Sequence, residues 1–555
     1  MNIEAHATVM NLSVDQALKK ATLHLQKNEF CEAKELFEAV LQAFPGNKNA
    51  QLALKSLNKK NVAAAGSNFM QQKINELINL YNAGSFSKVI DEAKILAQQY
   101  PGSFVIWNVM GAAAAQIDML DLSIMALRKV IALKPDHAIA YNNLGNTFIK
   151  LDNYSDAIEA FKNAIKIQPD NLDALYNMSI ALRLQGDFDE AMEACGRVVR
   201  MQPQNAKAHH TMGKILQDLG KPEEATKAYM KAIEIKPDYA GALNSLSRCY
   251  LMQNDFVKAF EHTEWRWLAQ QDNIGSQFKS NKPSWTGEQH EKVFVWKEQG
   301  IGDELMLSSM FVDLIKKSEN IVIECDSRLI PLYERSFPKN IQFINDRNQI
   351  SEGDYDSQIA IGSLPKYLRH ELNDFKSVAS GWLSADGEKV NVLREKLRSK
   401  SAGKIIGISW LTMAALEKAQ YRNVSLPKLA EYLTQIPGKY VSLQYGDVAE
   451  EVDRVSYQTG INISRIEEID NFRDIDGLAA LISACDLVIS IDNLTVHLAG
   501  SLGVDTRILL PKVADARWGA TAQNSYWYDN VTLYRQEVLG DWSHPLDHLV
   551  NDLTP

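Results

Sequence analysis

The chain has 555 residues, 46% of them hydrophobic and 23% charged, with a formal net charge of -10. At roughly 150 residues per domain this length predicts three or four folding units, and the ordinary globular composition excludes a fibrous or wholly disordered chain. The acidic balance, with no long Lys/Arg run, excludes a general nucleic-acid binder, because neutralising phosphates needs a clustered basic face.

The N-terminus, MNIEAHATVMNLSVD, carries an early acid and no uninterrupted apolar run, and no later stretch approaches the roughly 18 apolar residues of a membrane span. Cys31, Cys195, Cys249, Cys325 and Cys485 are far apart, form no CxxC pair, and read as buried thiols of a reducing compartment. The expectation is a cytoplasmic protein without membrane insertion. A first helical unit runs from about Asp15 to Pro45, giving an N-terminal helical repeat at 1–57. The segment NKKNVAAAGSN at 58–68 then displaces Pro45 from the register that follows, and predicts a loop or a break in the array.

Over 70–270 three registers share one period. Pro101, Pro135, Pro169, Pro203 and Pro237 are 34 residues apart, as are Gly111, Gly145, Ser179, Gly213 and Ser247, and Ala157, Ala191, Ala225 and Ala259. That period is the tetratricopeptide signature: each unit is a pair of helices, small residues let the two approach, and proline ends the second. Such units bury their faces only against neighbours and stack into a solenoid with a concave binding surface. The unit AIAYNNLGNTFIKLDNYSDAIEAFKNAIKIQPDN resembles the repeats of protein O-GlcNAc transferases, in which first-helix asparagines grip a peptide backbone. Asn143 and Asn177 occupy those positions and are the acceptor-binding candidates. The equivalents in the flanking repeats are Val109 and Thr211, so no continuous ladder exists, and ordinary polar solenoid residues are the alternative.

From about Lys292, β-branched runs alternate with helical segments: VFVW, IVIECD, IQFI and QIAIG, then IIGISW, YVSLQYG, DLVISI and RILLP. This alternation implies parallel sheets with crossover helices. The polar stretch from about Ser384 to Lys404 divides the strands into two sets of four, giving Rossmann-like halves at 285–383 and 400–555 with ligands expected at the strand ends facing a crevice. In EQGIGDELMLSSM, Gly300 and Gly302 permit a tight turn and close approach of a ligand, and Asp303 stands where a helix N-cap belongs. In DLVISIDNLTVHLAGSLGV, a strand ends at Asp492 and Asn493 and a helix opens near Leu494, whose N-terminal amides suit a phosphate. His497, one turn in, either donates to that ligand or is a packed histidine. Asp474 and Asp476 form a DxD but open an apolar helix, which favours capping over a metal site, and no His/Cys cluster has ligand spacing.

EQGIGDELML, GISW, VSLQYGD, DIDGLAALISACDLVISIDNLTVHLAGSLGV and RWG followed by SYWY together resemble the C-terminal module of bacterial tetratricopeptide-linked glycosyltransferases, which is similar to the heptosyltransferases and has the GT-B fold. The resemblance covers about 285–550. It implies Asp303 as general base and Asp492, Asn493, Thr495 and His497 as donor-site residues. It also implies Ser409, Trp410 and Gln444 along the nucleotide cleft, and Arg422 as the cation for the leaving phosphate. The intervening LTMAALEKAQY is more apolar than the polar loop of such sites and leaves Lys418 as a rival to Arg422.

The resulting expectation is an inverting transferase, independent of metal or cofactor, that moves a sugar from a nucleotide-activated donor to a protein hydroxyl. Members of the resembling group act on flagellin in the cytoplasm, which makes flagellin the acceptor to expect. The alternatives are a scaffold that has lost turnover and a transferase acting on a lipid-linked saccharide.

Overall fold

The computed structural model describes residues 13–27, 29–269, 277–376, 378, 380–398, 403–412 and 419–554. Packing divides the chain into two compact units, Met1–Asn177 and Met178–Pro555.

In the first unit, Ser13 and Gln16 close a capping box on the helix Val14–Gln26, which pairs with Phe30–Ala43. The segment at 58–68 is not a loop: one helix runs from Lys48 to Asn82. Its alanines favour helix, and no proline interrupts it. Among the described residues, Leu57 belongs to the cluster of the first helices and Ile74 to that of the following repeats.

The repeats then follow their period. Second helices end at Gln99, Leu133, Ile167, Met201 and Ile235, each two residues before one of the register prolines. The residue between, such as Tyr100 with φ -129 and ψ 63, leaves the helical region because a following proline ring crowds it. The small-residue register is matched in size to the position 16 residues on. Gly111 faces Leu127, Gly145 faces Phe161 and Gly213 faces Tyr229, where an added Cβ would lie 2.9, 2.5 and 2.5 Å from the larger side chain. Ser247 stands instead opposite Thr263, their hydroxyls 3.4 Å apart.

The second unit holds the last repeats and two parallel sheets. The first sheet has the order β3-β2-β1-β4, with β1 at His290–Trp296, β2 at Ser318–Glu324, β3 at Ile341–Ile344 and β4 at Ser357–Ala360. The second has six strands where the sequence suggested four: β5 (Ile405–Ser409), β6 (Lys439–Ser442), β7 (Ile463–Ser464), β8 (Leu487–Ile491), β9 (Thr506–Leu510) and β10 (Val531–Arg535), in the order β10-β9-β8-β5-β6-β7. The two unanticipated strands are the edges, and an edge strand needs no continuous apolar run. The strand order reverses beside β1 in one sheet and between β5 and β8 in the other. These are the positions where open parallel sheets leave a crevice at their strand C-termini. Phe256 of the last repeat packs its ring 4.8 Å from Phe375 and 5.1 Å from Tyr526, so this repeat shares a core with both sheets. Among the described residues, no helix is long and apolar enough to cross a membrane.

Candidate functional site

The loop after β1 is anchored from two directions. Arg266, at the end of the repeats, donates Nε and Nη2 to the two oxygens of Glu298 at 2.8 Å each, and Gly362 N–H donates to the same carboxylate at 2.7 Å. Both charged side chains are almost fully buried, a geometry in which removing one partner strands the other. Two residues on, Gly300 is the N-cap of the short helix Ile301–Leu307, and Asp303 is its third residue rather than its cap. Neither Gly300 nor Gly302 has a positive φ, so the turn does not need glycine for its backbone conformation. Gly302 sits close to the second loop: a Cβ there would lie 3.2 Å from Cδ2 of His497, a tight contact.

The loop after β8 is built differently. Asn493 caps the helix Leu494–Ser501, accepting from Thr495 N–H, while its Nδ2 donates to Ser409 Oγ at 2.8 Å. Ser409 in turn donates to Gln444 Oε1 at 3.0 Å, and the same oxygen accepts from the backbone N–H groups of Trp410 and Leu411. Ser409, Gln444 and Asn493 thus tie together the ends of β5, β6 and β8 and are all buried. The Trp410 ring is a core residue, 1% exposed, with its indole N–H directed to Glu451. Thr495, equally buried, has a hydroxyl with no hydrogen-bond partner among the described residues.

Charge gathers between these loops. Arg422 pairs with Asp492 at 2.8 Å and donates to its backbone carbonyl as well, and among the described residues its buried Nε has no partner. His497 shares a 2.9 Å hydrogen bond with Tyr528 through Nδ1, stacks on Trp518 at 5.6 Å, and has Nε2 3.9 Å from Asp492. Burial, reinforced by Arg517 nearby, lowers its pKa to about 3, so it is neutral at pH 7 and the contact with Asp492 is not an ion pair. Asp303, from the first sheet, meets Arg517, from the loop after β9, at 2.5 Å. Arg517 is also held by Asp515 at 2.9 Å, and Asp515 lies 3.5 Å from Arg248 of the repeats. Burial disfavours the Arg517 charge, but Asp303, Asp515 and Asp492 outweigh it and hold its pKa well above the usual value.

Asp303, Arg422, Asp492 and His497 therefore belong to one neighbourhood, whereas Ser409, Gln444 and Asn493 form the buried brace beneath it. Asn143 and Asn177 lie in the other compact unit, both half-buried, with Asn177 donating to Asn142 at 3.0 Å. Lys418 lies outside the described residues. Asp474 caps its helix by accepting from Gly477 N–H, and Asp476 pairs with Arg335 and Lys389. Among the described residues no group of three or more His, Cys, Asp or Glu is placed to hold a metal ion. Arg517, Asp515 and the Arg266–Glu298 pair were not singled out from the sequence. Their only visible signals were the RWG triplet and the EQG that opens the first loop.

Tetratricopeptide-repeat models match residues 148–215 and 206–239, so the chain contains tetratricopeptide repeats. A relative called Protein FlbA, from Caulobacter vibrioides, is 29% identical over 289 residues, which is 48% of this chain and 48% of the relative, so the chain spans about half the length of the curated protein it matches. Among solved structures, a MamA protein is 24% identical and covers 31% of this chain and 93% of its own, with a TM-score of 0.28. YrrB, described as a tetratricopeptide protein with an unusual peptide-binding site, is 19% identical, covering 32% of this chain and 93% of its own at a TM-score of 0.28.

Proposed function

We propose that the protein is a glycosyltransferase of GT-B type that transfers a sugar from a nucleotide-activated donor to a protein hydroxyl, with the repeats recruiting the acceptor. The observation that carries this reading is the meeting of Asp303 with Arg517, beside Asp492, Arg422 and His497. A carboxylate from one parallel sheet and cations from the other converge where strand order reverses. In this reading Asp303 takes the acceptor proton. Arg422, Arg517 and the start of the Leu494–Ser501 helix balance the charge arriving on the phosphate. Neutral His497 offers a hydrogen bond rather than a charge. The acceptor oxygen forms its bond to the anomeric carbon as the sugar–phosphate bond breaks, its electron pair leaving on the phosphate oxygen, and the sugar is inverted. Repeat recruitment draws support from the packing of the last repeat against both sheets, and flagellin is the acceptor suggested by the family resemblance.

The test is intact-mass comparison of proteins from cells with and without the gene. A saccharide increment on an acceptor that disappears with the gene supports the reading, and a proteome without such a change counts against it. The engagement of Asp303 by Arg517 gives a second reading some footing, in which the module binds a nucleotide or glycan without turnover. Purified protein that binds a donor nucleotide yet transfers nothing to a verified acceptor would favour it.

A further inference from the structure

Arg517 is held at one edge and shared at the other. Its Nε donates to Asp515 Oδ1 at 2.9 Å, and the same oxygen accepts from the Arg517 backbone N–H at 3.2 Å, a local turn that fixes the guanidinium to its own loop. Asp515 is steadied further by Arg248. The opposite edge, Nη1, reaches a residue 214 positions earlier, Asp303, and among the described residues this is its hydrogen bond. The two side chains of that pair are 20% and 24% exposed, whereas the Arg266–Glu298 pair is 4% and 1% exposed. The Asp303–Arg517 pair is less enclosed than the Arg266–Glu298 pair and meets the guanidinium through one carboxylate oxygen, whereas a phosphate can match the guanidinium fork with two oxygens. In the loops of the same second sheet, the buried Thr495 hydroxyl and Arg422 Nε have no protein partner among the described residues. These groups face a polar ligand's chemistry more readily than an apolar core's.

Resting on the transferase reading above, we propose that Arg517 is a phosphate ligand of the donor site that exchanges Asp303 for the donor's phosphate, freeing Asp303 to act as base only when donor is bound. Asp515 keeps the guanidinium in place during the exchange. The proton of the acceptor hydroxyl then passes to Asp303 as the new C–O bond forms, and the electron pair of the broken sugar–phosphate bond stays on the oxygen facing Arg517. One bond forms, one breaks and one proton moves, so no co-reactant is required.

The experiment is a double-mutant cycle read by calorimetric binding of CMP and, separately, UDP to the full-length protein. Asp303→Asn removes the competing carboxylate and should tighten binding about tenfold if Arg517 spends most of its time paired. Arg517→Met should weaken binding, and adding Asp303→Asn to it should produce no further gain. An equal gain in both backgrounds would mean that Asp303 merely repels phosphate, and would overturn the exchange while leaving the transferase reading intact. Should Arg517→Met fail to fold, the single Asp303→Asn variant still decides, because unchanged or weaker binding overturns the proposal. Absence of binding of CMP and of UDP, ADP, GDP and dTDP to the wild-type protein at millimolar concentration would instead remove the transferase reading, and this inference with it.

Discussion

The loops that end β1 and β9 bring together charges, and the ends of β5, β6 and β8 bring together neutral polar groups. In the second region each partner is committed: the single oxygen Gln444 Oε1 serves the Ser409 hydroxyl and two backbone N–H groups, and Asn493 both caps a helix and holds Ser409. In the first, Asp303 and Arg517 come from the loops of different sheets and are 24% and 20% exposed. A buried neutral network stabilises one arrangement, because every alternative leaves an unsatisfied group. A partly exposed ion pair between two separate loops fixes their arrangement less firmly than such a network does. Geometry of the first kind suits a brace, and geometry of the second kind suits chemistry.

The largest effect that would sharpen this contrast is expected at Asp303. Asp303→Asn keeps the shape and the position in the first helical turn while removing the proton acceptor. Transfer to a verified acceptor should fall by roughly 10²- to 10⁴-fold while the melting temperature barely moves. Full turnover in that variant would place the base elsewhere and dissolve the distinction between the two regions.

Gln444→Ala should do the reverse. It strands a hydroxyl and two backbone N–H groups in a buried setting, and should cost about 2–4 kcal/mol in denaturant unfolding. Any loss of transfer should then be recovered at lower temperature, where the fold is intact. A variant of unchanged stability that no longer binds nucleotide would make Gln444 a ligand-binding residue and break the comparison from its other side.

The helix pairs were legible because their physics repeats. A proline every 34 residues ends a helix wherever it occurs, and a glycine at 145 or 213 announces the close approach of Phe161 or Tyr229 even before that partner is known. The strand ends were legible for a related reason, since IIGIS and LVISI are buried on both faces. The edge strands β7 and β10 escaped notice because INIS and VTLYR alternate or stop short. Lengthening the helix through 58–68 depended on alanine content, which the Asn, Lys and Gly around it concealed. Within the site, Asp303, Asp492 and His497 stood out because each lies near a strand end in a recognisable string. Arg517 did not, because what distinguishes it is its partner, and a pairing across 214 residues leaves no local mark. The same holds for Arg266 and Glu298.

The smallest expected effect concerns protons, and it distinguishes two buried groups on facing helices. His497 has its pKa lowered to about 3 by burial, from an ordinary 6.5. Between those values the unfolded chain binds a proton that the native protein does not, so its contribution to stability is lost as pH falls below 6.5. Glu304, beside Asp303, is raised by burial to about 7 from 4.5, although Asp326 N–H donates to it at 2.8 Å. Here the native state binds the extra proton, so stability is fully present below 4.5 and is lost as pH rises through 7. On going from pH 7 to pH 5.5 the two terms oppose each other, each by about 1 kcal/mol. Replacing one should therefore unmask the other. Relative to wild type, His497→Gln should gain stability on acidification, and Glu304→Gln should lose it. The measurement is denaturant unfolding of all three proteins at both pH values. His210, also lowered to about 3, is common to all three and cancels in the differences. Parallel pH profiles for wild type and His497→Gln would mean that this histidine is not held neutral by its surroundings. It would then be free to enter the exchangeable set of charges rather than the fixed frame around them.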